Sequence, residues 1–236
     1  MSDVQRIGKY EVERELGSGA FGNVYLAYDR SMDRRVAVKV LKSLQDPSLA
    51  ARFKAEARAA GGLVHENIVT IYEYAEDQNP QYMVMQYLDG RNLKELIGAH
   101  EPATLWEKLE IMSQAARGLD CAHQNHVVHR DIKPANIMVL KNGKAKILDF
   151  GIARLTQRDT TLTQSGYLIG TIPYMAPELF DGVEGDELCD IWAYGVVYYE
   201  LLTGRHPFGD WEMTTAQWIQ GIRKRHPGRF VQSVRG

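Results

Sequence analysis

Cysteine is scarce in this chain. Only two occur in 236 residues, Cys121 and Cys189, far apart. That argues against a disulfide framework and fits a reducing compartment inside the cell. An excess of one charge is also missing: 28 basic residues meet 30 acidic ones, for a net charge of -2. Such a balance gives no reason to expect nucleic acid or an acidic membrane as a partner. Long hydrophobic runs are absent too. The most apolar stretch, Ile191 to Leu202, is too short to span a bilayer and contains Glu200. The first residues, Met1 to Tyr10, are polar and charged, unlike a signal peptide. No internal repeat and no low-complexity segment interrupts the chain. The expectation is a cytoplasmic chain with no membrane segment.

What is present suits a packed core. Apolar residues make up 44% and charged residues 25%, near globular averages. The length fits one large domain or two small lobes sharing a cleft. Tyr10 to Leu16, Gly22 to Tyr28 and Arg35 to Leu41 are rich in strand-forming residues, and the polar run Asp29 to Asp33 fits a hairpin turn. Asp46 to Leu63 reads as a helix, started at Asp46-Pro47 and stopped at Gly61-Gly62. Ile68 to Tyr74 and Gln81 to Gln86 read as two more strands. After Gly90 the pattern turns helical. Leu105 to Asn125 carries Leu105, Leu109, Met112, Ala116 and Leu119 at helical spacing. Val127-Val128, Ile137 to Leu140 and Lys146 to Leu148 read as short strands, and Asp190 to Thr203 as an apolar helix. The connection near Tyr87 to Arg91 divides a strand-rich lobe from a helix-rich one.

Four clusters carry chemistry. The first is Gly17-Ser18-Gly19-Ala20-Phe21-Gly22, whose glycines let backbone N–H groups approach phosphate oxygens. It lies between two strands, not between a strand and a helix, which disfavours a dinucleotide-binding turn. Val36-Ala37-Val38-Lys39 follows, and an inward Lys39 ammonium could reach phosphates held under the glycines. The second cluster is Glu56, an acid amid Ala55, Ala57, Ala59 and Ala60; it can pair with Lys39 or be an ordinary solvated glutamate. The third is His129-Arg130-Asp131-Ile132-Lys133-Pro134-Ala135-Asn136. There Asp131 can orient a hydroxyl proton, Lys133 can neutralise phosphoryl charge, and Asn136 offers an oxygen to Mg²⁺. The fourth is Asp149-Phe150-Gly151, a carboxylate after an apolar strand and before a glycine. Each residue alone has a dull explanation; the combination in this order does not arise easily by chance.

Together these residues resemble the eukaryotic-type protein kinase family in order and spacing, from about Tyr10 to about Phe208. The resemblance implies an α+β, bilobal fold. A small antiparallel β-sheet lobe with one helix covers 10–87, and a mainly helical lobe covers 88–208. It implies ATP and Mg²⁺ as cofactors and transfer of the γ-phosphate to protein serine or threonine. Leu16, Gly17, Ser18, Gly19, Ala20, Phe21, Gly22, Val24, Ala37, Lys39, Met85, Gln86, Leu88 and Met138 would hold ATP. Met85 would guard the back of the adenine pocket, with Gln86 to Leu88 as the hinge. Lys39 would pair with Glu56, Asp131 would be the catalytic base, Lys133 would assist, and Asn136 and Asp149 would hold Mg²⁺. Ile71, Ala60, Phe150 and His129 would form a packed column between the lobes. Asp190, Trp192 and Gly195 would anchor the catalytic loop. Lys133 and Gly170-Thr171 match the serine/threonine branch, and several segments are similar to bacterial members. Thr171 would contact Asp131 and Lys133. Autophosphorylation at Thr160, Thr161 or Thr163, in a homodimer, would dock the hydroxyl-rich loop on Arg130.

The end of the chain departs from this pattern. The family's later helices, one with an arginine that pairs with the residue matching Glu178, have no recognisable equivalent in 209–236. From Gly221 onward there are five basic residues and no acid. That reads either as a solvated basic tail or as a shortened second lobe. A nucleotide-binding pseudokinase scaffold is the rival from another class, though all four catalytic motifs oppose it. A small-molecule phosphotransferase of similar fold is the other, opposed by the peptide-seating look of Gly170 to Glu178.

Overall fold

The computed structural model describes residues 5–19, 22–42, 47–99, 103–150 and 171–224. Its first lobe is built on strands β1 (Arg6–Ile7), β2 (Tyr10–Ser18), β3 (Gly22–Asp29), β4 (Arg34–Leu41), β5 (Ile71–Ala75) and β6 (Tyr82–Gln86). They form one antiparallel sheet in the order β1-β2-β3-β4-β6-β5. The β3–β4 turn is held by Asp29, which accepts from Ser31 N–H at 3.1 Å.

Strand β4 shows why both faces of this sheet are apolar. Side chains alternate across a strand. Val36 and Val38 pack with Tyr10, Ala27, Tyr82 and Val84 on one face. Ala37 and Leu41 pack on the other with Phe53 and Ala57 of helix α1 (Pro47–Gly61). Lys39 shares the parity of Ala37 and Leu41. The alternation therefore sends it toward α1 and the cleft.

The second lobe starts with β7 (Gly90–Asn92), which pairs with β8 (Ile137–Leu140), itself paired with β9 (Ala145–Ile147). Its helices are α2 (Leu93–Gly98), α3 (Leu105–Gln124), α4 (Glu187–Thr203) and α5 (Thr215–Lys224). A capping box starts α3: Thr104 Oγ1 accepts from Glu107 N–H at 3.2 Å, and Glu107 accepts from Thr104 N–H at 2.7 Å. Asp186 caps α4 by accepting from Leu188 N–H, and Gly204, at φ 69°, ends it in the left-handed region that suits glycine.

The two lobes are joined below α1. Residues Asn67 to Val69 bond directly to β9: Ile147 N–H donates to Asn67 O at 2.8 Å, and Val69 N–H donates to Ile147 O at 2.9 Å. Helix α3 passes beside this junction at Gly118, where a Cβ would lie 2.9 Å from Asn67 O and 3.0 Å from Ile147 Cδ1. One core spans the junction, from Ala60, Leu63 and Ile68 to Met112, Leu119, Ile132 and Phe150.

Four sequence readings need correction. Val127-Val128 is no strand; Val127 N–H closes a turn onto Ala122 O at the end of α3. Ile68 to Thr70 does not extend β5, because its backbone is engaged by β9 and by Gln86 N–H. The apolar stripe of α3 begins at Ile111, leaving Leu105 and Leu109 exposed. The stretch after Phe208 is not merely a solvated tail, since α5 buries Trp218 and Ile222 in the core of the second lobe. Strands β1 and β7 and helix α2 were not foreseen. The region 225–236 lies outside the described residues.

Candidate active site

The cleft face of β4 and the middle of α1 bring two charges together. Lys39 Nζ donates to Glu56 Oε1 at 2.6 Å and to Asp149 Oδ1 at 3.0 Å. The Lys39 and Glu56 side chains are each 8% exposed, while Asp149 is 43% exposed and faces the cleft. Burial alone would discharge Lys39, but the carboxylates of Asp149 and Glu56 outweigh it and hold the ammonium well above its usual range. Burial also opposes ionisation of Asp149; the Lys39 charge overcomes it and lowers the carboxyl. For Glu56 burial wins, so its carboxyl is raised despite Lys39. The bland alternative for Glu56, a solvated helical glutamate, is thus excluded by its position.

A second group forms around the catalytic loop. Lys133 Nζ donates to Asp131 Oδ2 at 2.7 Å and reaches Thr171 Oγ1 at 3.4 Å. Asn136 Nδ2 donates to Asp131 O at 2.8 Å and to Asp131 Oδ2 at 3.1 Å. Thr171 thus meets Lys133, and no hydrogen bond joins it to Asp131 among the described residues. Leu148 N–H donates to Asn136 O at 2.9 Å and so ties the loop to the residue before Asp149.

This arrangement is strained and braced. Arg130 and Asp149 have φ of 63° and 43°, where non-glycine residues are uncommon. Each such residue costs on the order of 1 kcal/mol. Asp190, fully buried on α4, braces the loop. It accepts from His129 N–H and Arg130 N–H, each at 2.7 Å, and from His123 Nε2 at 2.8 Å. His129 donates from Nε2 to Leu148 O at 2.7 Å and accepts Asp131 N–H at Nδ1. Its ring lies on Phe150, centroids 4.7 Å apart. Ala60 and Phe150 belong to one core that spans both lobes, with Ile71 packed against it. His123 was missed by sequence reasoning. Nothing local marks it, because its partner lies 67 residues away.

The adenine-side residues also converge. Ala37, Met85 and Leu88 are buried in one cluster, with Val24 and Met138 half-buried against it. Gln86 follows Met85 in β6, and its Oε1 is buried without a partner among the described residues. Leu16, Gly17, Ser18 and Gly19 lead into the β2–β3 turn, with Gly19 N–H donating to Gly22 O at 2.8 Å. A Cβ on Gly22 would run into Val40 O, which explains that glycine. Ala20, Phe21, Gly151, Thr160, Thr161 and Thr163 lie outside the described residues.

Arg130 Nε donates to Gly185 O at 3.1 Å, and its guanidinium rests 3.4 Å from exposed Glu184. Glu178 makes no ion pair among the described residues, and Arg223 of α5 pairs instead with Asp181. Both cysteines are free, and burial together with the Asp190 charge pushes the Cys189 thiol up to about 12, so it is no nucleophile. No helix among the described residues is long and apolar enough to cross a membrane.

A curled antiparallel sheet and a helical lobe, with two lysines, three acids and an asparagine gathered between them, define a bilobal, protein-kinase-like fold. The chain matches the protein kinase domain family over residues 10–229 and belongs to it. It is 43% identical over 203 residues to the serine/threonine-protein kinase PrkC of Bacillus subtilis, covering 85% of this chain and 31% of that protein. It is 40% identical over 237 residues to the serine/threonine-protein kinase PknB of Mycobacterium leprae, covering 94% of this chain and 38% of that protein. A probable serine/threonine-protein kinase of Streptomyces coelicolor is 40% identical over 216 residues. The chain spans about a third of the length of these relatives.

Proposed function

We propose that this chain is the catalytic domain of a serine/threonine protein kinase, transferring the γ-phosphate of ATP to protein hydroxyls. The observation that carries it is the joining of two groups, Lys39–Glu56–Asp149 and Asp131–Lys133–Asn136, by the Leu148–Asn136 backbone bond. Residues 10–87 form the nucleotide-holding lobe and 88–208 the substrate lobe, extended by α5.

In this reading Lys39 holds the α- and β-phosphates, with Glu56 keeping its ammonium in place. Asp131 orients the substrate hydroxyl and takes its proton as the oxygen attacks the γ-phosphorus. The bond from that phosphorus to the β–γ bridging oxygen breaks, and ADP leaves with the electron pair. Lys133, already on Asp131, offsets charge on the phosphoryl group in flight.

Asn136 and Asp149 would hold Mg²⁺. Asn136 spends its amide nitrogen on Asp131, which leaves its oxygen for the cation, and Asp149 exposes a carboxylate to the cleft. This oxygen donor set suits a hard divalent ion, which when bound neutralises phosphate charge. Arg130 supports regulation by phosphorylation of Thr160, Thr161 or Thr163, in trans within a homodimer. Its guanidinium is only weakly engaged by Glu184. A cytoplasmic location fits the ATP requirement and the two free thiols.

The test is transfer of labelled γ-phosphate to itself and to a generic protein substrate, for wild type and Asp131→Asn, followed by mass spectrometry. The variant is expected to lose about 10²- to 10³-fold in rate. Equal rates would refute the role of Asp131. A folded wild type that binds ATP without transfer would favour a scaffold. Phosphate found only outside residues 156–171 would sink the regulatory reading.

A further inference from the structure

We propose that Lys146 is a positioning residue for Asp149, acting by clasping the segment 67–69 that follows helix α1. This rests on the kinase reading above and adds a residue to it. Lys146 lies in the middle of β9, between Ala145 and Ile147, both part of the core that spans the lobes. Lys146 is itself buried and makes no ion pair among the described residues. Its Nζ donates instead to Ile68 O at 2.8 Å, a residue 78 positions away. Burial lowers its pKa, so the site holds an ammonium at a cost. The mechanism proposed above makes no use of this cation.

The segment 67–69 is already bonded to the main chain of β9. Ile147 N–H donates to Asn67 O, and Val69 N–H donates to Ile147 O. Between these bonds Ile68 N–H turns back to His65 O at 3.2 Å, and Ile68 O meets no backbone donor among the described residues. Lys146 supplies the missing donor, so main chain and side chain of one strand hold the same three residues. Upstream, the segment comes from α1, the helix of Glu56. Downstream, β9 leads to Leu148, whose N–H is held by Asn136 O and whose carbonyl is held by His129 Nε2. Asp149 follows at a φ of 43°, a conformation that persists only where the surroundings over-determine it. The Lys146 clasp is one of those constraints. It fixes the strand that leads to Asp149 against the helix that carries Glu56, with the Lys39 ammonium between the two carboxylates. The adenine-side cluster of Ala37, Met85 and Met138 does not include Lys146. Its loss should thus be felt by Mg²⁺ and phosphate and not by adenosine.

The test is calorimetric affinity for adenosine, and for ADP with and without Mg²⁺, at a temperature where circular dichroism shows each variant folded. Lys146→Met is unbranched and of similar length but has no donor. Its gain in ADP affinity on adding Mg²⁺ is expected to shrink about fivefold to tenfold, with adenosine affinity within about twofold. Lys146→Arg, which keeps a cationic donor, is expected to lose less than Lys146→Met. A merely structural lysine would lower thermal stability and leave the Mg²⁺ gain unchanged, which overturns the proposal. An equal loss for adenosine overturns it too, as does an Arg variant as impaired as the Met variant, since the donor would then be immaterial. A wild type with no Mg²⁺ gain at all would take the ion from Asp149 and overturn it as well. If Lys146→Met does not fold, Lys146→Gln, neutral and one bond shorter, takes its place under the same criteria. Absent phosphoryl transfer by wild type would sink the kinase reading, whereas the role of Lys146 is read from the binding affinities alone.

Discussion

Among single residues, His206 shows how far a side chain's role depends on its surroundings. Its Nε2 donates to Pro173 O at 3.0 Å and its Nδ1 accepts Phe208 N–H at 3.2 Å, so the neutral ring satisfies both neighbours. The rings of Tyr174, Phe208, Trp211 and Trp218 surround it. Burial pushes its pKa down to about 4, and the Pro173 carbonyl offsets this only in part. A depressed histidine contributes stability that is present above its unfolded value, near 6.5, and lost as pH falls toward the folded value. The unfolding free energy of wild type minus that of His206→Gln should therefore fall by about 2 kcal/mol between pH 7 and pH 5. Urea titrations at the two pH values measure it, and a pH-independent difference would contradict the assignment. None of this could be read from His206-Pro207-Phe208 alone. Asp190 was legible by resemblance, but the partner His123 was not.

At the level of elements, β4 was legible because a strand's alternation is local. Val36 and Val38 on one face and Ala37, Lys39 and Leu41 on the other follow from period two. Helix α5 was not legible. Its basic residues, Arg223 and Lys224, drew attention to solvation, while its buried anchors Trp218 and Ile222 find their core only across the chain, against Phe208 and the segment Ile172–Tyr174. The rings make the difference testable. Trp218 is 5% exposed and Trp211 60%. Trp218→Ala should destabilise the domain by about 3–5 kcal/mol. Trp211→Ala should cost much less, about 1 kcal/mol, losing only its edge contacts. Denaturant midpoints of the two variants decide it; comparable losses would mean α5 is not docked as described.

Over the whole molecule, the two lobes meet through a backbone junction and a charge junction. The first is Asn67–Val69 on β9, the second Lys39 between Glu56 and Asp149. Cutting the charge junction at Glu56 leaves Lys39 still paired with Asp149, so the fold should persist while the ammonium loses its set position. Glu56→Ala is expected to lower kcat/KM for ATP by on the order of 10²-fold. Wild-type kinetics in a properly folded variant would show that the pair is structural only.

The sequence alone determined the class of this protein. Glycine turn, Lys39, Glu56, Asp131, Asn136 and Asp149 are recognisable because chemistry demands particular residue types at particular spacings, and spacing survives in one dimension. Only tertiary structure decided that Glu56 is buried beside Lys39, that Asp190 gathers His123 with the catalytic loop, and that Lys146 grips the Ile68 carbonyl. Those are contacts between residues 17 to 78 positions apart. Local pattern carries no record of them, because they exist only when the sheet, the helices and the loops have already packed.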